Sequence, residues 1–182
     1  MSCQDENYPE RNVNLHAPWR MEYIRLLGGQ DEGCFLCRAL EQTDKDEENL
    51  VLWRTPRCVV VMNLFPYTGG HLLIAPRAHV GGLAELDGPT MLEMMELARD
   101  ATTLLTGVLK AGGFNVGFNL GRAAGAGLPG HIHLHVVPRW SGDTNFMAVL
   151  GDVRVIPQSL KELRIELLEA AAKARLPRAL YG

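Results

Sequence analysis

Three histidines occupy alternate positions in one short stretch, His131-Ile132-His133-Leu134-His135-Val136-Val137. Side chains of an extended strand alternate between its faces, so this spacing sets the three imidazoles on one face and Ile132, Leu134 and Val136 on the other. Imidazoles held in line have two chemical uses. They bind a transition metal, or one acts as a nucleophile while its neighbours fix its tautomer and proton. Convergence of all three on one catalytic metal is disfavoured, because ligands along a straight strand span more than about 12 Å.

Further candidates surround this stretch. The preceding loop, Gly121-Arg122-Ala123-Ala124-Gly125-Ala126-Gly127-Leu128-Pro129-Gly130, is glycine-rich. Such a backbone can turn N–H groups towards an anion, with Arg122 adding charge, or simply form a flexible turn. Cys34-x-x-Cys37 has the spacing for two thiolates on one zinc ion, which then needs two more ligands, and His79 and one of the triplet are the candidates. A redox role suits it less, because no strand-helix-strand unit surrounds it. Cys3 and Cys58 carry no such pattern. Asn63 ends one apolar run and His71 opens the next, which places an amide and an imidazole at one sheet edge; a turn-capping asparagine reads the same. Arg139 and Trp140 follow the histidines directly and border the same cleft.

Elements must position these groups. A short helix is expected from Gly33 to Leu40, then an exposed acidic connection from Glu41 to Asn49. Strands are expected at Leu50 to Arg54, Cys58 to Asn63 and His71 to Ala75, the last two joined by the turn residues Pro66-Tyr67-Thr68-Gly69-Gly70. After Gly88-Pro89, a helix from Thr90 to Lys110 is expected to pack through Leu92, Met95, Ala98, Thr102, Leu105 and Leu109, and to stop at Gly112-Gly113. Strands at Phe114 to Leu120 and His131 to Pro138 follow, then a helix from Pro157 to Lys173 packing through Leu160, Leu163, Leu167 and Ala171. Residues 1–30 read as an arm that docks a short helix through Pro18, Trp19, Met21, Tyr23 and Ile24, and residues 31–182 as a single domain. The pattern is that of an α+β domain on an antiparallel sheet.

Composition narrows the classes. A chain of 182 residues with 47% hydrophobic and 21% charged residues can build its own core. Its formal charge of -3 argues against a basic footprint for nucleic acid or an anionic membrane. No apolar run reaches the roughly 20 residues of a membrane span. The polar, acidic start lacks the apolar stretch of a signal peptide, so a cytoplasmic location is expected. Four cysteines are too few and too uneven for a disulfide framework.

Taken together, the alternating His131, His133 and His135, the stretch Gly70-His71-Leu72-Leu73-Ile74-x-Pro76-Arg77-x-His79 and the paired cysteines resemble the histidine-triad (HIT) family of nucleotidyl hydrolases and transferases. The resemblance covers about residues 33 to 140. Ala17-Pro18-Trp19-Arg20-Met21 and Pro138-Arg139-Trp140-x-Gly142-Asp143-x-Asn145-Phe146 are similar to its diadenosine tetraphosphate phosphorylase-like branch. The resemblance implies a five-stranded antiparallel sheet with a long helix, commonly joined across a homodimer. It implies that His133 attacks the α-phosphorus to give a nucleotidyl-histidine, that His135 binds and neutralises phosphate, and that His71 supports the network. It sets Asn63 against the ribose with Leu64 and Phe65 near the base, Asn119 on the phosphates, and Cys34, Cys37, His79 and His131 on a structural zinc ion.

One departure stands out. Many members carry Gly-Gln-Ser/Thr before the triad, whereas Gly125-Ala126-Gly127-Leu128-Pro129-Gly130 has no hydroxyl, so the Gly125 and Gly127 N–H groups are expected in its place. The expected activity is phosphorolysis of dinucleoside polyphosphates, with inorganic phosphate as acceptor. The alternatives are hydrolysis of those compounds or of nucleoside phosphoramidates, and a zinc-containing nucleotide-binding protein without turnover.

Overall fold

The computed structural model describes residues 33–143 and 159–180, so the expectations for residues 1–30 and for Asn145 and Phe146 lie outside the described residues. In chain order the elements are α1 (Phe35–Glu41), β1 (Val51–Arg54), β2 (Cys58–Met62), β3 (Leu72–Pro76), α2 (Gly88–Leu109), β4 (Gly113–Phe118), β5 (Leu134–Arg139) and α3 (Leu160–Ala174). The strands form the expected five-stranded antiparallel sheet, in the order β1-β2-β3-β5-β4.

The two faces of this sheet have different fates. On one, Val60, Met62, Leu72, Ile74, Leu134 and Val136 pack under α2 and α3 through Met94, Leu97, Ala101, Leu105, Leu163, Leu167 and Ala171. Each fully buried leucine there contributes about 1.5–3 kcal/mol. On the other face, Val51, Val59, Val61, Leu73 and Ala75 are covered by Leu36 and Ala39 of α1. Arg54 anchors that short helix by donating to the Ala39 carbonyl at 2.6 Å, near the helix C-terminus, and it also pairs with Asp46. Because α1 reaches only the β1-β2-β3 side, among the described residues no helix covers the same face over β5 and β4, which forms a trough.

Three expectations are corrected. The face of α2 that packs is only partly the expected one: Ala98 and Leu105 are buried and Leu109 packs against them, but Leu92 and Met95 are 62% and 55% exposed, and Met94, Leu97, Ala101 and Leu104 are buried in their place. The inner face is disguised by two buried carboxylates. Glu93 accepts from the Thr55 hydroxyl at 2.6 Å and the Arg57 N–H at 3.0 Å, and Asp100 accepts from the Arg178 N–H at 2.8 Å. With these partners a charged group is tolerated inside, so polarity misled the periodicity. Second, α2 starts at Gly88, because the Asp87 carboxylate caps the Thr90 N–H at 2.7 Å and Pro89 fits a first turn where its missing N–H costs nothing. Third, the triad strand enters the sheet only at Leu134, which pairs with Ile74. His131 and His133 precede the ladder, held where the Ile132 N–H donates to the Val80 carbonyl at 2.7 Å.

Candidate functional site

Gly70 turns the chain into β3 with a φ of +82°, a left-handed conformation that favours glycine, and a Cβ there would displace the Leu109 methyl of α2, 2.5 Å away. His71 follows, 1% exposed. Its Nδ1 lies 3.2 Å from the Tyr67 N–H and 3.1 Å from the Asn63 side-chain nitrogen, and its Nε2 lies 3.0 Å from His135 Nδ1. The Asn63 oxygen accepts from the Phe65 N–H at 3.0 Å, which turns the amide nitrogen towards His71 as donor. Two donors on Nδ1 leave the His71 proton on Nε2, so His71 donates to His135 Nδ1 and the His135 proton sits on Nε2.

His133 is fixed differently. Its Nδ1 lies 2.8 Å from the His131 carbonyl, which only accepts, so Nδ1 carries the proton and Nε2 keeps its lone pair. Burial pushes this imidazole below its ordinary value. The His133 and His135 ring centroids are 4.9 Å apart. A neutral imidazole with a bare nitrogen thus stands beside an imidazole that presents N–H, an arrangement for nucleophilic attack on an anion.

His131 leaves the group. Its Nε2 donates to the Pro76 carbonyl at 2.8 Å, so the Nδ1 lone pair faces Cys34 Sγ at 3.2 Å and Cys37 Sγ at 3.6 Å. His79 Nδ1 lies 3.1 Å from Cys37 Sγ. The four donor atoms lie within 4.8 Å of one another, the size and donor set of a tetrahedral zinc site with its histidine oriented from behind. Burial alone would raise the Cys34 thiol, but the His131 ring and the Cys37 backbone N–H outweigh it and bring it down to about 6. Desolvation and the neighbouring Cys34 sulfur push Cys37 up to about 11. A metal would take both as thiolates. With His131 directed here, the triad does not converge on one ion.

The remaining expected residues are distributed around the trough. Leu64 and Phe65 are 62% and 46% exposed beside Asn63, and Asn63 itself is buried. Asn119 directly follows β4 on the trough side. In the loop, Gly125 gives its N–H to the Arg122 carbonyl at 2.9 Å, closing a tight turn, so of the two expected glycines it is Gly127 whose N–H meets no acceptor among the described residues. Arg122 is exposed. The Arg139 guanidinium is held by both Asp143 carboxylate oxygens, at 2.5 and 2.8 Å, and by the Asn115 oxygen at 2.9 Å. Sequence reasoning missed Tyr67, whose ring centroid is 4.6 Å from that of His71, and Asn115. In sequence one is an ordinary turn residue and the other an ordinary strand residue.

Comparison with known proteins agrees with this geometry. Residues 44–142 match the model of the HIT domain. The AP-4-A phosphorylase of Mycobacterium tuberculosis is 44% identical over 155 residues, covering 82% of this chain and 80% of that protein. The asymmetrical bis(5'-nucleosyl)-tetraphosphatase of Schizosaccharomyces pombe is 30% identical over 93 residues, 51% of this chain and 50% of that protein. A crystal structure of a Zn-bound histidine triad family protein from Mycobacterium smegmatis superposes with a TM-score of 0.64 at 26% identity, covering 79% of this chain and 96% of that one. With the sheet, the split triad and these likenesses in agreement, the chain belongs to the histidine-triad (HIT) family.

Proposed function

We propose that this chain is a nucleotidyltransferase that phosphorolyses dinucleoside polyphosphates. His133 Nε2 attacks the α-phosphorus, the bond to the bridging oxygen breaks, and the leaving nucleotide departs with that electron pair. Inorganic phosphate then attacks the nucleotidyl-histidine and frees His133. With diadenosine tetraphosphate the balance is ATP from the first step and ADP from the second. His135 donates its Nε2 proton to a non-bridging oxygen, and His71 holds His135 in the tautomer that can do so. Asn63 positions His71 and Phe65 and has one N–H left for a ribose, beside the exposed Leu64 and Phe65. Asn119 and the Gly127 N–H supply further donors to the phosphates, with Gly125 shaping their loop.

The observation that carries this is the pair of opposite tautomers: a bare Nε2 on His133 next to a protonated Nε2 on His135. The 44% identity to a protein named AP-4-A phosphorylase supports the choice of reaction. Hydrolysis of the same substrates is the second reading, favoured by the likeness to a tetraphosphatase. Product analysis separates the two: diadenosine tetraphosphate should give ADP plus ATP only when phosphate is present. AMP formed without phosphate would assign hydrolysis instead, and no product under either condition would leave a nucleotide-binding protein.

Zinc on Cys34, Cys37, His79 and His131 would be structural, since four protein ligands close the site to water. When bound, it secures the His131 backbone, whose carbonyl fixes the His133 proton. A second copy is the proposed partner. Among the described residues β4 pairs on one side only. Met91 and Met95, 40% and 55% exposed, lie on the flank of α2 turned away from α3. No described helix is long and apolar enough to cross a membrane. The proposed location is the cytoplasm, where thiolates are kept reduced for metal binding.

A further inference from the structure

The edge strand has a regular pattern that the proposed chemistry does not use. In β4, Gly113 pairs with Arg139, Asn115 with Val137 and Gly117 with His135. Side chains alternate, so Gly113, Asn115, Gly117 and Asn119 lie on the trough side with His133 and His135, while Phe114 and Phe118 pack on the helix side. The trough floor therefore alternates glycine with asparagine. A Cβ on Gly113 or Gly117 would meet no described residue within 4 Å, so among the described residues this strip is open.

Asn115 is held at the far end of the strip. Arg139 donates to its oxygen at 2.9 Å while Asp143 grips the guanidinium from the other side. A guanidinium only donates, so the Asn115 oxygen must face it and the amide N–H groups point elsewhere. No described residue accepts from them. Asp143 offsets the charge of Arg139, which makes Arg139 a positioning residue for Asn115 rather than a bare cation. At about 3.3 Å per residue, Asn115 stands about 13 Å from Asn119 and about 7 Å from the level of His135.

The Asn115 amide N–H groups open on a glycine strip that runs to the level of His135, past Val137 beside Asn115 and the Tyr67 ring stacked over His135, and fixed N–H donors along a strip without side chains suit an extended anionic chain. We propose that Asn115, oriented by Arg139 and Asp143, determines specificity by donating hydrogen bonds to the distal phosphates of the leaving group of a polyphosphate substrate. This rests on the nucleotidyl-transfer reading above.

The test compares two substrates that share the AMP moiety: diadenosine tetraphosphate, and the p-nitrophenyl ester of AMP, whose activated leaving group carries no phosphate. N115D keeps an oxygen for Arg139 and removes both donors, so folding is retained and is checked by thermal melting. The ratio of kcat/KM for the tetraphosphate to that for the ester should fall at least about tenfold, as expected on removing a hydrogen bond to a charged group. R139K, which cannot grip Asn115 and Asp143 together, should lower the ratio in the same direction. An active wild-type protein with an unchanged ratio in N115D overturns this inference alone. Wild-type protein inert on both substrates overturns the nucleotidyl-transfer reading and this inference with it.

Discussion

His71 Nε2 lies 3.0 Å from His135 Nδ1, and that contact leaves the His135 proton on Nε2. Replacing His71 with alanine frees His135 to adopt the other tautomer, which presents a lone pair to an anionic oxygen. The expected cost is about 10–100-fold in kcat, as for other groups that orient a reacting histidine. His71→Asn retains a donor and should recover part of the rate in steady-state kinetics. Equal rates for all three proteins would remove the role.

If His133 is the nucleophile, its intermediate can be trapped. Acid-free quenching during turnover, followed by peptide mass spectrometry, should place an AMP adduct on His133 Nε2. His133→Ala should show no adduct and no turnover, yet bind nucleotide within about tenfold of wild type, because the lost interaction exists only during reaction. An adduct on any other residue would redirect the assignment.

The sulfurs test the metal. Wild-type protein should carry zinc in proportion to chain, and the Cys34→Ser/Cys37→Ser double variant should lose it. Because a structural site contributes directly to folding, melting should fall by about 5 °C or more. Zinc retained without the cysteines would contradict the four-ligand site. Metal analysis and calorimetry on the same samples settle it.

Asp100 is 1% exposed and receives the Arg178 N–H, so it ties the C-terminal turn to α2. Asp100→Ala leaves that N–H without its acceptor and should destabilise the protein by about 1–3 kcal/mol in urea unfolding. A loss confined to a few tenths would show that the turn finds another partner.

Met95 is exposed on a helix whose opposite flank meets α3. If this flank meets a second copy, Met95→Glu should shift the mass seen by light scattering from two chains to one. An unchanged dimer would place the interface elsewhere.

Much of the framework was legible in sequence because it depends on local rules. The alternation of His131 to Val136 and the glycine and proline turns each act over a few residues, and from them follow the antiparallel sheet and the chain order of its elements. Cys34-x-x-Cys37 likewise contains its spacing in the chain. The phase of α2 was legible only in part: Ala98 and Leu105 face the sheet as expected, and Leu92 and Met95 do not. The sequence shows two apolar flanks, and only the partners of Glu93 and Asp100, brought from Thr55, Arg57 and Arg178, reveal which one faces the sheet.

The site divides the same way. By itself the sequence determined that three imidazoles share a side and that two thiols await further ligands. Only the tertiary structure decided that His131 turns to the sulfurs, that His133 keeps a bare Nε2 and that His135 does not. Those outcomes depend on the Pro76 carbonyl, the His131 carbonyl and the His71 ring. An imidazole nitrogen takes its role from whatever faces the other nitrogen, and for His131 and His135 that group lies more than fifty residues away.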